Sequence, residues 1–252
     1  MRSLQRTSIA LLFGGAAWGA TISTAAADDT EQGYQTRLAA QAHGPLYKSL
    51  WMWGDSTIRL NARFQPTVFR VSPGLSWRAL PTLFLTGAYA WTPQWQQVAG
   101  SDDWGDRQFV DEHRLWQQLM WTPRSSAHGW SATIRVREEQ RFRPHDDGGV
   151  GHRMRIMVRG QVPFARAANV SFVQWTELFI GWNAPGWGQP RGIDQQRIFV
   201  GVAWQVVPTL VRLEAGYLLQ WLVRSGPDTV NHMVSLSAAF GWSDPPRRRG
   251  RS

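Results

Sequence analysis

The most constraining feature of this chain is a two-residue alternation of charged and apolar side chains. In SATIRVREEQRF the odd positions are Thr133, Arg135, Arg137, Glu139 and Arg141. The even positions are Ala132, Ile134 and Val136, until Glu138 breaks the pattern. Successive side chains of a strand point to opposite faces, so this run is a strand with one charged and one apolar face. In a soluble sheet the apolar face would be the core. In an outer-membrane barrel it would meet lipid, and the charged face would line the lumen.

The same parity recurs along the chain. Between 46 and 64, Leu50, Met52, Ile58 and Leu60 oppose Asp55, Thr57, Arg59 and Arg63. Phe69, Val71, Leu75 and Trp77 oppose Arg70, Ser72, Ser76 and Arg78. Val211, Leu213, Ala215 and Tyr217 oppose Arg212, Glu214 and Gly216. Short links at 80–82, 163–168 and 207–209, with a medium one at 123–128, interleave with longer ones at 93–110, 143–151 and 183–192. That asymmetry fits a transmembrane barrel with short periplasmic turns and longer outer loops. The expected fold is an all-β, antiparallel up-and-down transmembrane β-barrel. Ten strands are preferred between 46 and 242. Splitting 46–64 at Gly54 and adding 36–42 gives twelve. The even count assumes that both ends of the barrel lie on one side.

Composition agrees. There are 16 tryptophans, and Trp77, Trp91, Trp121, Trp130, Trp182, Trp221 and Trp242 fall at expected strand ends, where indoles would form two interfacial girdles. The mean hydropathy of −0.34 is no obstacle, because a barrel strand shows only every second residue to lipid. No apolar run after the N-terminus is long enough for a helical span. Without cysteine there is neither a disulfide nor a thiolate metal site.

Residues 1–27 read as a secretory signal peptide. Arg2 and Arg6 precede an apolar run from Ile9 to Ala17, and Ala25 and Ala27 stand before Asp28 in the small-x-small pattern of a cleavage site. The expected organisation is a signal peptide at 1–27, a leader or arm at 28–45, the barrel at 46–242 and a basic tail at 243–252. The location that follows is the cell outer membrane of a Gram-negative bacterium. The partners are outer-membrane lipid and, during biogenesis, the barrel-assembly machinery, which the ending in Phe240 and Trp242 would suit. The net charge is +9. It comes from arginines spread along strands rather than clustered, which argues against a nucleic-acid partner.

Glu112-His113-Arg114, Trp116-Gln117-Gln118, Arg135-x-Arg137-x-Glu139-x-Arg141, Glu177 with Phe179, Asp194-Gln195-Gln196-Arg197 and Glu214-x-Gly216-Tyr217, with Asn231-His232, occur in this order. The chain thereby resembles the domain of unknown function 2490 family of exported bacterial proteins over about 35–242. The resemblance implies a signal peptide and an outer-membrane-like barrel, and brings no activity or catalytic residues.

The expected lumen lining is Arg59, Arg63, Arg70, Arg78, Arg114, Arg135, Arg137, Arg141, Arg153, Arg155, Arg159, Arg197 and Arg212, with Glu112, Glu139, Glu177 and Glu214 in phase. Guanidinium–carboxylate pairs could simply fill the interior. Because arginine exceeds acid, the lumen could also admit a small anionic solute. The chain therefore reads as an outer-membrane barrel that is structural or a narrow anion-preferring, porin-like channel. An alternative is a lipid-modifying enzyme of the acyltransferase or lipase type. Its bases would come from His113, His145, His152 and His232, with Asp146 and Asp147, although neither G-x-S-x-G nor H-E-x-x-H is present. A soluble periplasmic β-protein is the third reading. No cofactor and no metal is expected.

Overall fold

A computed structural model describes residues 30–97, 106–123, 129–146, 148–164, 167–224 and 226–241. The signal peptide, the tail, Trp242 and Asp147 lie outside the described residues. Thirteen strands are present: β1 (Glu31–Tyr47), β2 (Leu50–Asn61), β3 (Pro66–Leu80), β4 (Leu83–Trp91), β5 (Gln94–Gln97), β6 (Arg107–Val110), β7 (His113–Trp121), β8 (Ser131–Phe142), β9 (Gly151–Phe164), β10 (Ala167–Gly181), β11 (Gly192–Val207), β12 (Val211–Leu222) and β13 (Thr229–Gly241). Eleven of them form a closed barrel, and β5–β6 is a separate hairpin beside the start of β3.

Each of the ten strands expected between 46 and 242 is a barrel wall. The eleventh is β1, so the stretch expected as a leader or arm at 28–45 is a strand from Glu31 onward. Its other edge runs parallel to β13, from Glu31 opposite Thr229 to His43 opposite Gly241. All other wall pairings are antiparallel. An odd count with one parallel seam puts the start of β1 and the end of β13 at opposite ends of the barrel, not on one side as the even count assumed. The weak signal of β1 has a physical cause. Its outward positions include Thr36, Ala40 and Ala42, which are too small to mark an apolar face.

The connections at 62–65, 92–112, 143–150, 182–191 and 223–228 share one end, the long-loop end, which carries the longest of them, 92–112; those at 48–49, 81–82, 122–130, 165–166 and 208–210 share the other, the short-turn end. The outward face is apolar and open: Leu213 is 40% exposed and Leu236 45%. Trp91, Trp182 and Trp221 ring the long-loop end, and Trp77, Trp121 and Trp130 the short-turn end, all exposed. The three indoles at the long-loop end each donate to a carboxylate: Trp91 to Asp111 at 2.7 Å, Trp182 to Glu138 at 2.9 Å and Trp221 to Asp228 at 2.8 Å. Glu138, the residue that breaks the alternation in β8, is thus an outward rim acceptor.

Inside, two apolar clusters flank the charged lining. One joins Val173, Phe199, Ala203, Leu218 and Met233 across β10–β13. The other joins Trp53, Ala90 and Trp116, and continues through Trp51, Phe84 and His43 toward the short-turn end. The Phe199 ring is stacked 5.4 Å from Trp175 and overlies the cross-strand pair Gly201–Gly216. A Cβ on Gly201 would stand 2.4 Å from the Ala215 carbonyl and 2.7 Å from the Phe199 ring. Gly201→Val should therefore force the β11–β12 ladder apart and cost about 1–3 kcal/mol, as overpacking does. Gly160→Val, where a Cβ meets nothing within 4 Å, should stay within about 0.5 kcal/mol of the parent. Denaturant unfolding of the refolded barrel, followed by tryptophan fluorescence, measures both.

Candidate functional site: an arginine-lined lumen

Eight strands make a ring that side chains can roughly fill. Eleven leave space, and a polar cavity of about 860 Å³ occupies the interior. The lining reaches from Gln96 and Arg224 at the long-loop end to Ser131 and Ala239 at the short-turn end.

Carboxylates organise the arginines into a network. Glu112 lies just ahead of β7 and is fully buried. It accepts from Arg114 at 2.6 Å, from Arg141 at 2.9 and 2.8 Å and from Arg143 at 3.1 Å. Glu139 takes Arg153 at 2.7 Å and Arg155 at 2.6 Å. Arg153 continues to Asp194 at 2.8 Å. Arg155 continues to Glu177 at 2.7 Å, which also pairs with Arg135. Glu214 holds Arg159 and Arg212, and Asp55 holds Arg70. Arg137 gives two hydrogen bonds to Gln118, at 3.0 and 2.7 Å, and lies 3.7 Å over the Trp116 ring. Among the described residues, ten inward arginines share six carboxylates, and Arg37, Arg59 and Arg197 have none within ion-pair distance.

Of the expected lining, Arg59, Arg70, Arg114, Arg135, Arg137, Arg141, Arg153, Arg155, Arg159, Glu177, Arg197, Arg212 and Glu214 border the cavity. Glu112 and Glu139 are buried behind their arginines. One expected residue lies outside the lumen, and another faces inward beyond the cavity. Arg63 is exposed, because β2 ends at Asn61 and the chain turns there. Arg78 faces inward near the short-turn end, beyond the cavity, with its guanidinium 5.3 Å from the Trp51 ring and 5.9 Å from Phe84. Five charged residues that border the cavity lay outside the expected set: Arg37, Asp55, Arg143, Asp194 and, at the long-loop rim, Arg224. Arg143 keeps the odd parity of Arg141 just beyond the end of β8. Asp55 shares the polar parity of Thr57 and Arg59, so extending the pattern would have found both. Asp194 breaks parity because a bulge opposite Phe179 and Ile180 turns Asp194 and Gln195 inward together.

The candidate enzymatic bases do not converge. His145 and His152 are exposed at the long-loop end. His113 and His232 lie on the outward face, each hydrogen-bonded to a tyrosine, Tyr89 and Tyr217 respectively. Asp146 faces Arg143 at 3.6 Å. Among the described residues no three His, Asp or Glu side chains gather as a metal site would require.

Burial by itself would raise the Glu112 carboxyl. The arginines Arg114, Arg141 and Arg143 outweigh it and hold the group well below the usual carboxylate range. A carboxyl depressed by folding contributes stability above its unfolded value of about 4.3, and loses it as pH falls through the lower folded value. Glu112→Gln should destabilise the barrel at pH 7 by about 3–5 kcal/mol, since three buried guanidiniums lose their carboxylate. Its deficit against the parent should shrink once pH drops below about 4. Denaturant midpoints at pH 7 and pH 3 check both the size and the sign.

Comparison with known proteins adds the family. The sequence model of a family described as proteins of unknown function, DUF2490, matches residues 35–231. An uncharacterized protein of Methylorubrum extorquens is 30% identical over 168 residues, 66% of this chain and 68% of that protein. A solved structure described as "Unveiling the Mechanism Behind the in-meso Crystallization of Membrane Proteins" aligns with a TM-score of 0.37 and 11% identity, covering 81% of this chain and 79% of that one.

Proposed function

The chain belongs to the DUF2490 family, whose function is unknown, and on that premise we propose that it is an outer-membrane β-barrel forming a narrow, anion-preferring channel. The observation that carries this reading is the cavity. It is lined from one end of the barrel to the other, and its arginines outnumber its carboxylates. Water in such a passage would sit in a positive potential that attracts anions and repels cations. Membrane insertion is supported by the closed ring, which leaves no wall edge unpaired, by the exposed apolar outer face and by aromatic side chains at both rims. The sequence pattern at 1–27 supports export. Lipid is the partner of the outer face, the barrel-assembly machinery the partner during insertion, and a small anionic solute the cargo.

The test has two arms. The mature chain should fractionate with outer membranes and migrate faster on a gel unheated than boiled. In planar bilayers it should conduct, with a reversal potential in a potassium chloride gradient that reports preference for chloride. Absence of conductance, or a reversal potential of the cationic sign, would overturn the channel.

A further inference from the structure

Arg37 on β1 and Arg59 on β2 are directly opposite one another across the strand pair, and both line the cavity. Like charges so placed repel and destabilise a sheet. Elsewhere in this lumen close arginines share an acid, as Arg153 and Arg155 share Glu139. Here they share nothing. Arg37 Nη1 donates to Ser235 Oγ at 3.1 Å, and Arg59 Nη1 reaches across to Gln220 Oε1 at 3.3 Å. The Arg59 Nε is buried and without a partner.

A third guanidinium comes from β11, three strands from β1 around the ring. Arg197 on β11 is the cross-strand partner of the same Gln220, and it lies 4.8 Å from the Phe179 ring. Its other cross-strand neighbour, Glu177, is already engaged by Arg135 and Arg155. Three cations from three strands thus meet neutral partners: Ser235 for Arg37, the Gln220 amide for Arg59 and the Gln195 side-chain amide for Arg197. This is the only part of the described lining where a cluster of guanidiniums has no carboxylate within ion-pair distance.

We propose that Arg37, Arg59 and Arg197 form a binding site for a multiply charged oxyanion of the phosphate class. A guanidinium presents a planar fork of N–H donors that matches two oxygens of an oxyanion, a geometry a halide cannot use. A dianion would neutralise the repulsion between Arg37 and Arg59, neither of which has a described carboxylate within ion-pair distance. The surrounding cavity of about 860 Å³ is in the range that holds a small organic ligand, so the phosphate can be free or carried as an ester. The site deepens the channel reading, and rests on it in one respect: the lumen must be open to solute.

The test uses the full mature chain, folded in detergent, titrated calorimetrically with inorganic phosphate, phenyl phosphate and chloride at matched ionic strength. Saturable binding of phosphate is expected where chloride shows none. Tighter binding of phenyl phosphate than of inorganic phosphate would assign the ester form, and equal or weaker binding the free ion. The double variant Arg37→Gln/Arg59→Gln should lose roughly tenfold or more in phosphate affinity, the scale of a lost charge-assisted hydrogen bond. Without phosphate it should be at least as resistant to denaturant as the parent, because the repulsion is gone. Arg197→Gln gives a second, single-site loss should the double variant fail to fold. Arg63→Gln, on the exposed turn, should bind like the parent.

Phosphate and chloride acting alike on the parent, or undiminished phosphate binding in both the Arg37→Gln/Arg59→Gln and the Arg197→Gln variants, would overturn the site. The two readings fail separately. A chain that conducts anions but shows no saturable phosphate binding removes the site and leaves the channel. A chain that binds phosphate saturably without conducting removes the channel, and leaves a binding barrel.

Discussion

Guanidinium–carboxylate pairing in a ring too wide to be filled by ordinary packing is the interaction on which the rest of this structure depends. A barrel of eleven strands has no single apolar core, since its greasy face points outward. What ties the neighbouring strands β8 to β11 together inside the lumen is a continuous set of charge-assisted hydrogen bonds from Asp194 through Arg153, Glu139 and Arg155 to Glu177. Buried ion pairs of this kind stabilise little relative to a well-packed apolar interior, but are expensive to break one side at a time. They give the barrel a fixed interior while leaving it polar. Arginine suits the task better than lysine, because its planar fork can serve two carboxylates at once, as Arg153 and Arg155 do. Lys48, the one lysine, sits on a turn at the rim.

The way the ring closes follows from β1. Its first half supplies Arg37 to the lumen and pairs in parallel with β13. Closure at this seam also brings Gln35 to Asn231 and Arg37 to Ser235, two side-chain hydrogen bonds across the parallel pair. The seam strand therefore contributes both to the wall and to the cluster of cations that lacks acids. The two apolar clusters sit beside the charged belt rather than across the whole lumen, which is why space survives between them.

Much of this was legible as alternation. Strands such as β8, β9 and β12 keep a charged inward parity against Ile, Val and Leu, and no helix could satisfy that pattern. Ten walls were readable for that reason. The remaining wall was obscured because β1 has small outward residues, so its period carries little contrast. The strand count went with it, since the even number rested on an assumption about the ends. Within the lumen, parity located most of the arginines, and failed where the backbone departs from period two. The bulge at Asp194 placed an acid that counting could not, and the turn after Asn61 removed Arg63. The pairing partners were out of reach altogether, because bonds such as Arg141 to Glu112 or Arg155 to Glu177 join strands through a register that no single strand encodes.

The central claim is that the apolar parity of the strands faces lipid while the guanidinium parity faces an aqueous lumen. Nitroxide labels placed one at a time on the folded chain in liposomes test it most directly: Leu213 and Leu236 on the outward face, Ser237 and Gln161 inside. The account predicts power-saturation signals in which oxygen, and not a water-soluble nickel chelate, relaxes the labels at Leu213 and Leu236, while the chelate reaches those at Ser237 and Gln161. Chelate access at Leu213 and Leu236 would contradict it.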